Sequence, residues 1–148
     1  MAVIAVVNGP NLNMLGGREP EVYGTETWQE IRGRLEKIAL DMGLELDFFQ
    51  SNHEGALVDH VQEVATIASG MIINPGALTH YGYSLRDAVA ALSLPVIEVH
   101  ITNIFAREEW RSRSVVSPVV RGVISGLGAA GYELALLALA AIAGGEDR

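Results

Sequence analysis

Glu98 and His100 stand two residues apart at the end of the apolar run Pro95-Val96-Ile97-Glu98-Val99-His100. If that run is a strand, both side chains point to the same side. A carboxylate beside an imidazole fixes the ring's tautomer and favours its protonated form, which is what a general acid requires. The same spacing also suits a structural ion pair at a strand end, and sequence alone leaves both readings open. A second constellation joins Tyr23 to Arg18, five positions upstream. A phenol ionises only near about 10 and is a poor base at neutrality, but a neighbouring guanidinium, charged throughout, favours the phenolate. Gly16, Gly17 and Gly24 frame this stretch and would let it move as a lid that excludes water when closed. The plainer alternative is a surface loop with a satisfied tyrosine.

Other polar residues gather in three loops. Asn8-Gly9-Pro10-Asn11-Leu12-Asn13 follows the first apolar run, and Asn74-Pro75-Gly76-Ala77-Leu78-Thr79-His80 follows the third. His100-Ile101-Thr102-Asn103 follows the fourth and leads to Arg107, Arg111 and Arg113. One of these arginines facing a crevice would suit an oxygen-rich anion, although all three could instead solvate their loop with Glu108 and Glu109 as partners. Several chemistries lack a candidate. There is no G-x-x-x-x-G-K-[ST], and no G-x-G-x-x-G after the first strand, so nucleotide binding loses its main support. Cysteine and G-x-S-x-G are both absent, which leaves covalent hydrolase chemistry without a nucleophile. Lys37, the only lysine, sits mid-helix away from the loops, disfavouring a Schiff base. His53 and His60 lack metal-ligand spacing to each other or to His80, and are expected on helix surfaces. A receiver module would need acidic residues after strands 1 and 3, where this chain has Asn8 and Asn74.

The elements that must position these groups alternate between strand and helix. Short β-branched runs at Ala2–Val7, Leu44–Phe49, Met71–Ile73, Pro95–Val99 and Val119–Ile124 read as strands. Trp28, Ile31, Leu35, Ile38 and Met42 form one apolar helical face, opened by the capping box Thr27-Trp28-Gln29-Glu30 and closed by Gly43. Ser51-Asn52-His53-Glu54 offers a second capping box before Leu57, Val61, Val64 and Ala68, with Gly70 as the stop. A third helix carries Leu85, Ala88, Val89 and Leu92 and ends before Pro95. Strands joined by crossover helices imply a parallel sheet covered on both faces. Five of them suggest a flavodoxin-like α/β three-layer sandwich of strand order 2-1-3-4-5, with its crevice beyond the carboxyl ends of strands 1 and 3.

Composition sets the remaining bounds. With 49% apolar and 19% charged residues, the 148-residue chain is expected to form one globular catalytic domain over 1–148. Ten basic against 18 acidic residues leave a net charge of −8, so no nucleic acid partner is expected. Met1–Asn8 has neither the basic start nor the apolar length of a secretory signal, and the absence of cysteine fits the cytoplasm. Leu127–Ala143 is alanine-rich, contains Glu133 and falls short of the ~20 apolar residues of a membrane span, so it is expected as a buried or interface helix.

The blocks Asn8-Gly9-Pro10-Asn11-Leu12-Asn13-Met14-Leu15-Gly16, Arg18-Glu19-Pro20 and Tyr23-Gly24 resemble the opening signature of type II 3-dehydroquinate dehydratases. Further matches follow in order: Phe49-Gln50-Ser51-Asn52 with Glu54-Gly55, Asn74-Pro75-Gly76-Ala77 with Thr79-His80, and Ser84 with Arg86-Asp87-Ala88. Glu98-Val99-His100, Ala106-Arg107-Glu108-Glu109, Gly122-Val123-Ile124 and Gly126-Leu127-Gly128 extend the resemblance over nearly the whole chain. It implies dehydration of 3-dehydroquinate to 3-dehydroshikimate in the shikimate pathway, by anti elimination through an enolate, with no metal and no cofactor. It gives Tyr23, favoured as phenolate by Arg18, the role of base, and His100, oriented by Glu98, that of acid, while Asn11 helps hold a water at the enolate oxygen. Asn74, His80, Asp87 and Arg111 are implied to bind the substrate's oxygens, and the backbone amides of Ile101 and Thr102 its carboxylate. Asp87 is implied to reach a neighbouring subunit's site, in a dodecamer built from trimers. Thr102 stands where serine is usual and Arg113 where histidine is usual. Thr102 keeps the hydroxyl, so an altered affinity is expected there and not a lost function.

Overall fold

The computed structural model describes residues 1–143, so the last five residues of the expected 1–148 domain lie outside the described residues. The chain runs β1 (Ala2–Asn8), α1 (Pro20–Tyr23), α2 (Trp28–Asp41), β2 (Leu44–Gln50), α3 (Glu54–Val64), β3 (Gly70–Asn74), α4 (Tyr83–Ala90), β4 (Val96–His100), β5 (Gly122–Ser125) and α5 (Ala130–Ala143). All strand pairings are parallel, and the order is β2-β1-β3-β4-β5. This is the expected flavodoxin-like sheet. The winding reverses between β1 and β3, which are neighbours although β2 separates them in sequence, and that opens a crevice at their carboxyl ends.

Alternation along the central strands sorts their side chains into two cores. Ile4, Val6, Ile72, Ile97 and Val99 pack on one face with Ile31 and Leu35 of α2 and Tyr132, Leu136 and Leu139 of α5. Ala5, Val7, Met71, Ile73 and Val96 pack on the other with Leu57 and Val61 of α3 and Leu85 and Val89 of α4. Because β1, β3 and β4 are buried on both faces, their apolar runs are nearly continuous. Carried to the strand ends, the alternation puts Asn8 and Asn74 on the α5 side, whereas Glu98 and His100 share the α4 side with Val96.

The caps of α2 form as expected. Thr27 Oγ1 accepts from the Glu30 amide, Glu30 returns the bond to the Thr27 amide, and Gly43 closes the helix at φ +69°. Elsewhere the structure differs. His53, not Ser51, caps α3, and the Ser51 hydroxyl takes only the His53 amide. Glu54 is drawn away from any capping box, because its carboxylate accepts from Ser84 Oγ (2.6 Å) and the Leu85 amide (3.1 Å) at the start of α4. Gly70 is not a helix stop but the first residue of β3, since α3 ends six residues earlier. The helix α4 ends at Ala90, leaving Leu92 just beyond it.

The last strand begins at Gly122 and not at Val119. Pro118, with its fixed φ and missing N–H, starts a 3-10 turn over Ser117–Val119, and Val119 and Val120 pack against the α3–α4 core instead. The single turn α1 was not foreseen. His60 is not a solvated surface residue: its ring stacks on Phe49 at 4.1 Å and Nε2 meets Asp47 Oδ1 at 3.1 Å. No helix of the described residues is long and apolar enough to cross a membrane.

Candidate active site

The loops after β1 and β3 approach so closely that side chains are excluded between them. A Cβ on Gly9 would lie 2.5 Å from the Pro75 carbonyl oxygen, and one on Gly76, at φ +59°, would lie 3.0 Å from that of Pro10. The Gly9 amide donates to the Asn74 carbonyl (2.7 Å), and Gln50 Nε2 braces the Gly9 carbonyl from β2 (3.2 Å). Asn11 follows in left-handed conformation at φ 72°, which asparagine tolerates better than most residues, and its amide is held by Asn52 Oδ1 (3.0 Å).

Around this junction opens a crevice, at the place where the winding of the sheet reverses. Tyr23, Arg18, Asn11, His100, Ile101, Thr102, Asn74 and His80 line it. Arg107 and Arg111 complete the wall. Asp87 stands apart, exposed on α4 and paired with Arg86 at 2.9 Å. Glu98 lies behind His100. Three arginines line the crevice without a carboxylate among the described lining residues, which makes it a cationic recess in a chain of net charge −8.

The Glu98 carboxylate is fully buried, and every donor around it is accounted for. His100 Nε2 and Thr79 Oγ1 (2.6 Å) bond Oε2, while Ser117 Oγ (2.6 Å) bonds Oε1. With its one proton spent on Glu98, Thr79 Oγ1 must accept from Ser114, whose own oxygen takes the amides of Val116 and Ser117. Burial alone would push the Glu98 carboxyl up. The bonds from His100, Ser117 and Thr79 outweigh it and hold the group below the usual range. Since Nε2 of His100 is committed to Glu98, Nδ1 is the ring nitrogen left for the crevice.

His80 is fixed differently. Its Nδ1 donates to the Arg113 carbonyl, leaving Nε2 as an acceptor toward the crevice. That bond also answers the histidine-to-arginine departure at position 113: the partner of His80 is backbone, and the Arg113 side chain is exposed. Burial draws the His80 imidazole below its ordinary 6.5, although the Arg113 carbonyl pulls the other way. Between that ordinary value and the lower folded one the unfolded chain binds more protons, so this stability is complete above 6.5 and is lost as pH falls through the window. The urea midpoint of wild type should therefore drop on acidification more steeply than that of His80→Gln. A constant gap between the two curves would show that the folded ring titrates like a free one.

At Tyr23, the Arg18 guanidinium lies 4.7 Å from the ring centroid and that of Arg107 lies 5.2 Å from it. Arg107 also donates to Thr102 Oγ1 (3.2 Å), so the Thr102 hydroxyl is occupied in holding an arginine. Arg111 Nε is held by Glu108 (3.1 Å), whose carboxyl the Arg111 hydrogen bond keeps below the usual range. Sequence reasoning placed Arg107 among three equivalent candidates and missed its contact with Tyr23. It also missed Thr79, Ser114 and Ser117 around Glu98, and Tyr132 behind Asn74. Hydroxyl residues in loops carry no local signal of a buried partner, and Tyr132 lies 58 residues from Asn74.

Sheet and crevice together define an α/β protein of the flavodoxin-like type, with a cationic crevice at the carboxyl ends of its strands. The family model Dehydroquinase class II matches residues 2–140. A 3-dehydroquinate dehydratase of Bacillus subtilis (strain 168) is 52% identical over 143 residues, covering 97% of each chain. One from Halalkalibacterium halodurans is 55% identical over 139 residues, 94% of this chain and 96% of the relative. The crystal structure of type II dehydroquinase from Butyrivibrio crossotus superposes with a TM-score of 0.91 at 45% identity, covering 93% of this chain and 97% of that one. The chain belongs to the class II dehydroquinase family.

Proposed function

We propose that this chain dehydrates 3-dehydroquinate to 3-dehydroshikimate, a step of the shikimate pathway, by anti elimination through an enolate. Family membership supports the reaction, and one observation carries the mechanism: a phenol flanked by two guanidiniums shares a crevice with an imidazole backed by a buried carboxylate. Tyr23, as phenolate, takes the proton next to the ketone, and the C–H electron pair passes into the enolate. Collapse of the enolate forms the C=C bond and breaks the C–O bond, and His100 Nδ1 protonates the departing hydroxyl so that it leaves as water. Asn11 holds a water against the enolate oxygen. Proton transfer is all that this asks of the protein, and the side chains present supply it without metal or cofactor.

The binding roles rest on the family resemblance. Arg111 faces the anionic substrate, His80 Nε2 accepts from a hydroxyl, Asn74 contacts an oxygen, and the backbone amides of Ile101 and Thr102 take the carboxylate. Asp87, outside its own chain's crevice, serves the site of a neighbouring copy in a dodecamer built from trimers. Residues 1–148 act as one catalytic domain in the cytoplasm. The direct test is to add 3-dehydroquinate and follow the ultraviolet absorbance of the conjugated enone. No signal at high enzyme concentration would sink the assignment. For the shared site, Asp87→Ala mixed with inactive Tyr23→Phe in re-formed oligomers should regain activity, because some sites then combine a native Tyr23 with a native Asp87. Failure of every mixture to exceed its parents would place Asp87 outside the site.

A further inference from the structure

Tyr132, the largest fully buried side chain, has no part in the mechanism above, yet its hydroxyl bonds Asn74, which lines the crevice. It donates to Asn8 Oδ1 (2.8 Å) and accepts from Asn74 Nδ2 (3.0 Å). Asn8 and Asn74 are direct cross-strand neighbours at the ends of β1 and β3, both turned toward α5 by strand alternation. The Asn74 Oδ1 is occupied as well, by the Gly76 amide (3.1 Å).

The direction of this chain of bonds is fixed. Burial holds the Tyr132 hydroxyl well above the usual phenol range, so it remains a donor at any working pH. Its one proton goes to Asn8, so its oxygen can only accept from Asn74, and the Asn74 amide cannot flip without facing the Gly76 N–H with its own. One N–H of Asn74 Nδ2 is then left over, on a residue only 4% exposed that lines the crevice. From this geometry we infer that Tyr132 is a positioning residue: by locking the Asn74 amide it makes that wall a hydrogen-bond donor and selects ligands presenting an acceptor oxygen there. This rests on the reading of Asn74 as a ligand contact.

The test is a double-mutant cycle of Tyr132→Phe and Asn74→Ala with 3-dehydroquinate as substrate, alongside side-chain amide NMR of the ligand-free proteins. Tyr132→Phe should raise KM by about tenfold, the worth of one hydrogen bond, with kcat changed much less. In the Asn74→Ala background it should leave KM unchanged while still lowering Tm. Additive effects on KM would overturn the inference, because a merely structural role acts equally in both backgrounds. If the wild type proved inert to 3-dehydroquinate, the functional reading would fall while the NMR arm still decided: the Asn74 side-chain amide protons, slow to exchange with solvent in the wild type, should exchange markedly faster in Tyr132→Phe. An amide unaltered by that substitution would refute the lock.

Discussion

Tyr23→Phe should lower the turnover of 3-dehydroquinate by about 10³-fold or more, with the fold and substrate affinity nearly intact. The substitution deletes one oxygen and nothing else. The ring still packs against the apolar core and still lies beside the Arg18 and Arg107 guanidiniums, so the crevice keeps its shape. What disappears is the only phenol lining the crevice, among the described residues, and with it the group proposed to accept the first proton. Single-turnover assays combined with equilibrium binding separate the two quantities. Near-native turnover would transfer the base role to another residue. Loss of binding in parallel with rate would mean that the hydroxyl holds the ground state.

His100→Ala should cost about 10² to 10⁴-fold in kcat, the usual share of a positioned acid. Glu98→Gln should fall in the same direction for a different reason. Glutamine fills the same space and can accept from Thr79 through its oxygen while its amide donates to Ser117, whose hydroxyl can turn to accept. Folding should therefore survive. The imidazole then loses the charged partner that holds its Nε2–H and aims Nδ1 at the crevice, so kcat should fall while KM changes much less. An unchanged kcat in Glu98→Gln would reduce the carboxylate to a structural partner. A pH–rate profile that keeps both limbs in His100→Ala would remove His100 from the reaction.

The elements were legible where the physics is local. Capping at Thr27 and Gly43, the alternation of β1 and the apolar runs of β3 and β4 depend on neighbours in sequence, and the parallel order followed from the crossover pattern. The β5 start was misplaced because Val119 and Val120 look like strand yet pack as turn residues on the second core. The Glu98–His100 pair could be read from spacing, since two residues on one strand keep their geometry in any fold. Ser117 joining Glu98, Arg107 reaching Tyr23 and Tyr132 meeting Asn74 could not, because each contact is made by tertiary approach of separate elements.

The sheet parts two groups of the crevice: Asn74 is turned to the layer shared with α5, while His100 and its buried Glu98 are turned to the layer shared with α4. Repacking behind α5 therefore bears first on the Asn74 amide and on Tyr23, and repacking behind α4 on the imidazole and its carboxylate. Substitutions in the two cores thus reach the crevice by separate routes.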